Sequence, residues 1–270
     1  MLPLPSPDGR RDFPNGVNDM PERRRGTQEP VVDVVMLSKA IDDDLRLMTQ
    51  RAVETCVNGA DDLLVNVVVI EQQPDIAYRG ADSTVHMPGE FNFNRFLNRG
   101  ASLGTAEWIL AATNDLVFHD GWLGALLAAD HPVVSPKCPQ DPRQAGIDAN
   151  TTGTRTGVHL SGWCFLIRRE IWQEIGGFDE SVSFWCSDDV VIEQLKGIGV
   201  EPMLVPGSRV EHLQSVTLMR EPHPYELTWK QIEIFNQKYG PHRMSRDPRF
   251  LIWKRSKALR EMSLTPPTGV

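Results

Sequence analysis

The stretch VVDVVMLSKAIDDDLRLMTQRAVETCVNGADDLLVNVVVI (residues 31–70) decides the fold. Its opening run, Val31 to Leu37, is β-branched and apolar apart from Asp33, as a strand buried on both faces should be. From Asp42 to Val57 the period changes, and Leu45, Met48, Ala52 and Cys56 fall on one face of a predicted helix. Leu63 to Ile70 then returns to the pattern of a buried strand. Strand, helix and strand in this order make a βαβ unit, whose two strands should be parallel and joined by a right-handed crossover.

The alternation continues downstream. A helix is expected over Asn92 to Ala101, and a strand centred on Trp108 to Ala112 that stops at the polar break Thr113-Asn114-Asp115. Asp120 is placed to cap a helix from Gly121 to Ala129. VVSPKC reads as a short strand, and Pro139 to Thr156 as a connection longer than usual, the kind that carries function. VHLSGWCFLIRREIWQEIGGF supplies a strand, a helix over Arg169 to Ile175 and a Gly-Gly stop. Asp188 to Ile198 forms a further helix with Val191, Ile192, Leu195 and Ile198 on its apolar face. EPMLVPGSRVEHL adds one or two strands, and Tyr225 to Tyr239 another helix. The pattern predicts an α/β fold with a mostly parallel central sheet flanked by helices. Its body is expected over residues 31–240, in two halves, 31–135 and 136–240. A loosely packed arm (1–30), containing Arg23-Arg24-Arg25, precedes it and a basic extension (241–270) follows.

Composition narrows the function classes. A formal net charge of −8 over 270 residues argues against a broad nucleic-acid footprint. No apolar run approaches the ~20 residues of a membrane span, and the start of the chain lacks the apolar core of a secretory signal. A soluble, cytoplasmic protein is therefore expected. Cys56, Cys138, Cys164 and Cys186 show no CxxC spacing and are expected to be reduced and structural.

Three places carry chemistry. Ligands of open α/β sheets bind beyond the carboxyl ends of the strands, where Asn114-Asp115 lies. A carboxylate there can hold Mg2+ or Mn2+ against a diphosphate, although an ordinary strand-end turn is the bland alternative. His212, after the strand RVEH, is a second candidate ligand or else a surface residue. Ser187-Asp188-Asp189 opens a helix, where acids commonly cap. One of the two carboxylates is alternatively a general base, its pKa raised by the other.

The segment from Glu90 to Thr217 resembles the family 2 glycosyltransferases of GT-A fold. ATNDLVFHDGWL is similar to that family's strand-end version of the DxD motif, and SGWCFLIRREIWQEIGGFDE to its segment ending in GGFDE. The stretch from Ser187 to Gly199 is similar to its ED helix, and EHLQSVT to its late His segment. The resemblance implies a metal-dependent, inverting transfer of sugar from a nucleotide-diphosphate donor. Asp115 and His212 would hold Mn2+ or Mg2+, and Asp188, in preference to Asp189, would be the base. Ser38, Glu71, Asn94, Asn98 and Asn114 would line the donor site, and Gly162 and Trp163 the acceptor site. Phe178-Asp179-Glu180 is expected to order a loop.

A UDP-sugar is the favoured donor, with GDP- and dTDP-sugars as alternatives. Glycan, protein, lipid carrier and modified nucleobase all remain open as acceptor. The chain departs from the family pattern at Thr113, which replaces the motif's first carboxylate, at Glu71, where the family has an Asp, at Ser187, where it has a Glu, and in Met36 to Lys39 after the first strand. Thr113 and the altered stretch after the first strand motivate a second reading, a GT-A-fold binding protein with weak or no catalysis. A nucleotidyltransferase is a third, but MLSKAIDDD lacks the glycine-rich loop expected there. The extension holds Arg243, Arg246, Arg249, Lys254, Arg255, Lys257 and Arg260 around Phe250 to Trp253. It would contact an anionic membrane, nucleic acid or the protein's own acidic body.

Overall fold

A computed structural model describes residues 29–213 and 224–264. The arm expected over 1–30 falls outside these up to residue 28, as do the Gln214 to Thr217 end of EHLQSVT and the side chain of Arg260.

Nine strands form one sheet in the order β3-β2-β1-β4-β8-β6-β9-β5, with β7 added on β9. The opening βαβ unit is β1 (Val32–Ser38), α1 (Asp43–Asn58) and β2 (Val65–Glu71). Asp42 caps α1 by accepting from the Leu45 N–H at 2.9 Å. β1 pairs in parallel with β2 on one side and with β4 (Trp108–Thr113) on the other. β3 (Ser83–His86), which the sequence reading lacked, extends the parallel half.

Beyond β4 the sheet is mixed rather than mostly parallel. β8 (Cys164–Arg168) runs antiparallel to β4 and to β6 (Val133–Lys137), while β6 and β9 (Met203–His212) are parallel. β5 (Leu116–Phe118), also absent from the reading, follows β4 after two residues, too few for a crossover, and pairs antiparallel with β9.

Strand residues alternate between two cores. Val34, Met36, Val67 and Leu110 face α1 and α3 (Trp122–Leu127). Val35, Val68, Ile109 and Ala111 face α2 (Phe93–Ala101) and α5 (Ser187–Gly197), with α4 (Arg169–Glu174) alongside. Two local expectations change. The buried stripe of α1 contains Thr49 where Met48 was expected, because the Thr49 hydroxyl joins a polar cluster at the strand ends. Asp120 does not cap α3. Gly121, in the left-handed region at φ 74°, holds that position and anchors its N–H on the Gly59 carbonyl at 2.9 Å.

The connection over Pro139 to Thr156 contains a 3-10 turn, Pro142–Gln144, and β7 (Thr151–Thr152). A third core joins α6 (Pro224–Tyr239) and α7 (Pro248–Leu264) to the start of α5. Phe250 is buried there, so the extension docks on the body through this residue, and Lys257 reaches Glu233 at 2.5 Å. Leu251 and Ile252 stay exposed. No helix among the described residues is long and apolar enough to cross a membrane, and all four cysteines are free and buried.

One buried ion pair locks the two halves of the sheet. Asp33, inside β1, accepts from Arg169 Nη2 at 2.5 Å, from Asn66 Nδ2 at 2.7 Å and from the Ala106 N–H at 2.8 Å. Arg169 completes its own donors on the Ala106 and Ala101 carbonyls at 2.6 and 2.8 Å.

Candidate functional site

The carboxyl ends of β1, β2 and β4 lie side by side, and they bring Ser38, Glu71 and Asn114 into one buried polar cluster. Ser38 Oγ lies 2.9 Å from Thr49 Oγ1 and 3.2 Å from the Tyr78 hydroxyl. Asn114 Nδ2 donates to Thr49 at 2.8 Å. Glu71 accepts from the Ala40 and Gln73 N–H groups at 3.1 and 2.9 Å and from the Tyr78 hydroxyl at 2.7 Å. Its carboxylate thus ties together the loops after β1 and β2. Burial pushes the Tyr78 phenol up to about 12, so it stays a donor. Thr49 and Tyr78 were missed in the sequence because a polar residue inside a helical stripe and a lone Tyr in a loop give no periodic signal.

Past Asn114 the chain turns, and Asp115 meets His212 across the β5–β9 pair. Asp115 Oδ2 and His212 Nε2 are 3.2 Å apart, and the Thr113 hydroxyl donates to the other carboxylate oxygen at 2.6 Å. Burial pushes the Asp115 carboxyl up, but the His212 hydrogen bond and charge and the Thr113 hydroxyl outweigh it and hold the group below its usual range. An anionic oxygen and an imidazole nitrogen at this separation suit adjacent positions of an octahedral shell, which lie ~3 Å apart for metal–ligand bonds of ~2.1 Å. The residues therefore fit a hard divalent cation. The Trp163 indole stacks on His212, centroids 5.4 Å apart and planes within 13°. With its ring buried against the imidazole, Trp163 orients a candidate ligand and is not an open platform for a sugar.

Residues 162 and 163 couple this pair to α5. The Gly162 N–H donates to Asp188 Oδ2 at 3.3 Å, one residue before Trp163 covers His212. A Cβ here would sit 3.1 Å from Asp188 Cβ and 3.3 Å from its Cγ, closer than ordinary contact, so a larger residue would displace Asp188 by a few tenths of an ångström. Burial and the neighbouring Asp189 charge push the Asp188 carboxyl up to about 6.

Asp189 is differently placed. It accepts from the Thr156 hydroxyl at 2.6 Å and faces His242 Nε2 across 3.3 Å and Arg243 across 3.9 Å. Burial raises it, but His242 and Thr156 outweigh burial and hold it low. The two carboxylates are thereby split: Asp189 is held below its usual range and clamped, and Asp188 is raised beside Gly162. His242 was invisible to the sequence reading, which ended its resemblance at Thr217.

Cys186, Asp189 and His242 also bring one donor atom each within 4.8 Å of one another, a grouping distinct from Asp115 and His212. His242 Nδ1 accepts from the Met244 N–H at 3.2 Å, which puts the ring proton on Nε2, and burial pushes the Cys186 thiol well up. With Arg243 also at hand, these residues are arranged as a proton-bearing clamp on Asp189.

The remaining two donor-site candidates lie elsewhere. Asn98 donates to the Phe178 carbonyl at 2.8 Å and to Glu180 Oε1 at 2.9 Å, and its own carbonyl accepts from the Phe178 N–H at 2.8 Å. Asn94 donates to the Asp179 carbonyl at 2.7 Å. Both amides hold the loop after α4, which Asp179 in turn binds to α6 through Lys238 at 2.7 Å and through the Tyr239 hydroxyl. These asparagines order that loop.

No family model matches the chain, and no curated protein does. Among solved structures, one similar to it is GalNAc-T7, crystallised with UDP, GalNAc and Mn2+. The TM-score is 0.60 at 13% identity, over 86% of this chain and 54% of that one. This chain therefore spans about half the length of that protein. With its nine-stranded sheet flanked by helices and this likeness, the chain has the GT-A glycosyltransferase fold.

Proposed function

We propose that the protein is an inverting glycosyltransferase that moves a hexosyl or related group from a nucleotide-diphosphate sugar, a UDP-sugar foremost, onto an acceptor hydroxyl. The observation that carries this reading is the Gly162-Trp163 step, which ties the Asp115–His212 pair to the raised carboxyl of Asp188. The UDP and Mn2+ bound by GalNAc-T7 support the same donor and metal class.

Ser38, Asn114 and Glu71 would shape the loops that receive the nucleotide, Glu71 by fixing backbone and not by reading the base itself. Asp115 and His212 would hold Mn2+ or Mg2+, which when bound supplies charge neutralisation for the departing diphosphate. Asp188 would take the proton of the acceptor hydroxyl as its oxygen bonds to the anomeric carbon, while the bond from that carbon to the diphosphate breaks on the opposite face. Inversion follows from that single displacement. Residues 31–135 would form the donor half and 136–240 the acceptor half. A non-catalytic binding protein finds support in one feature, Thr113 standing where the motif has a carboxylate.

The test is nucleoside diphosphate release from UDP-, GDP- and dTDP-sugars with Mn2+ or Mg2+ present or chelated. Metal-dependent release from one donor class is expected; absence of both release and binding across the panel sinks the proposal. Gly162→Ala should lower turnover by ~10-fold or more through displacement of Asp188 while nucleotide affinity holds. An unchanged turnover would mean that the Gly162 contact does not position the base.

A further inference from the structure

Beside the proposed base, between the 142–158 segment, the outer side of α5 and the turn after α6, lies a cleft of about 410 Å³. Arg143, Arg155, Lys196 and Arg243 line it, against the carboxylates of Asp189 and Glu193. In a chain of net charge −8, a hollow with more cations than acids is a local reversal of sign.

Two of the cations differ in how they are held. Arg143 is fixed by Asp141, which accepts from its Nε at 3.0 Å and its Nη2 at 2.6 Å. Its Nη1 packs on Gly157, where a Cβ would come within 2.1 Å, so the glycine leaves room for the guanidinium. Among the described residues Arg155 has no side-chain hydrogen bond or ion pair, and its fork of donors is uncommitted. Lys196 is shared with Glu193 at 2.7 Å, and Arg243 stands 3.9 Å from Asp189. The fork of Arg155 suits the oxygens of a phosphate, which it can bind bidentately, with the Arg143 guanidinium as a fixed positive charge in the same lining. The volume falls within the ~300–1,000 Å³ typical of small-molecule sites. The cations converge on one hollow instead of forming the stripe that a nucleic-acid backbone needs. The exposed Leu251 and Ile252 of α7, which a membrane-facing site would use, do not line it.

We propose that this cleft binds the phosphate of a small phosphorylated acceptor, holding its hydroxyl toward Asp188; the inference rests on the transferase reading above. Asp188 does not itself line the cleft, but Arg143 and Arg243 do and lie close enough for their charges to act on Asp188, so a group seated between them lies near the base.

The experiment uses the full chain with UDP and Mg2+ occupying the donor site, their binding first verified by calorimetry. Inorganic phosphate is then titrated while the arginine Nε–H resonances are followed by NMR. Saturable shifts of Arg143 and Arg155 are expected, with the phosphate affinity at least ~10-fold weaker in Arg155→Ala and unchanged in Lys254→Ala on α7. Glucose 6-phosphate should bind through the same resonances, and glucose should not. No saturable shift, or a shift that survives Arg155→Ala, overturns the proposal. So does binding confined to phosphatidylglycerol vesicles or to a duplex oligonucleotide. A wild type that binds no UDP fails the transferase reading instead, at the calorimetric step.

Discussion

Replacing Asp188 by Asn is expected to lower sugar transfer by ~10²–10⁴-fold, the usual contribution of a positioned general base, while nucleotide binding stays unchanged. The asparagine has almost the same shape, and its side-chain oxygen still accepts from the Gly162 N–H, so the α5 start should remain folded. What it loses is proton affinity. The pH profile gives an independent check. Burial and the Asp189 charge push Asp188 up to about 6, so in the wild type the active, ionised form is lost as pH falls through that value. Rate should therefore rise across pH 6 and level off above it, and the residual rate of Asp188→Asn should lack this limb. The charged groups facing Asp188 are Asp189 and, more distantly, Arg243 and Arg143. Asp189→Asn removes the carboxylate that raises Asp188, so the limb should move to lower pH. Equal turnover by wild type and Asp188→Asn would remove this residue from the mechanism and leave the binding-protein reading.

The second large effect concerns stability. Arg169→Met should cost ~3–5 kcal/mol, the loss typical of a buried ion pair broken from one side. Asp33 is 1% exposed and Arg169 15%, so the carboxylate cannot recruit water in place of the guanidinium. Two neutral donors, Asn66 Nδ2 and the Ala106 N–H, would remain for a full negative charge. Urea unfolding followed by circular dichroism gives the number. Asp33→Asn combined with Arg169→Met should recover part of the loss, because the charge itself is then gone. A single Arg169→Met variant as stable as wild type would show that the pair does not hold β1 to the second half of the sheet.

The same two residues show how far the sequence could be read. The opening βαβ unit was legible because its strands are long, β-branched and buried on both faces, so their apolar runs are continuous. Asp33 stood in that run as an exception without an explanation, and its partner lies 136 positions away, beyond any local pattern. β3 and β5 escaped because four partly exposed residues and three residues are too short to show a period. The mixed direction of the sheet depends on which strands become neighbours, which periodicity does not encode.

In the candidate site, Asp115, His212, Asp188 and Gly162 were singled out through strand-end and helix-start positions together with a family resemblance. The structure brings Asp115 to His212 and Gly162 to Asp188. Asn94 and Asn98 carry the same chemistry whether they face a ligand or a loop, and only the folded arrangement distinguishes the two. Thr156 and His242, which clamp Asp189, come from the long connection and from beyond α6. Their function depends on tertiary contact alone.

Asp115 and His212, as proposed, would hold a divalent cation against a nucleotide diphosphate. Calorimetric titration of UDP into the protein, with Mn2+ and then with chelator, tests it most directly. Mn2+-dependent binding is predicted for the wild type, with affinity reduced at least ~10-fold in Asp115→Asn, in line with the loss of one charged ligand. UDP binding of equal strength with and without metal, or undiminished in Asp115→Asn, would contradict it.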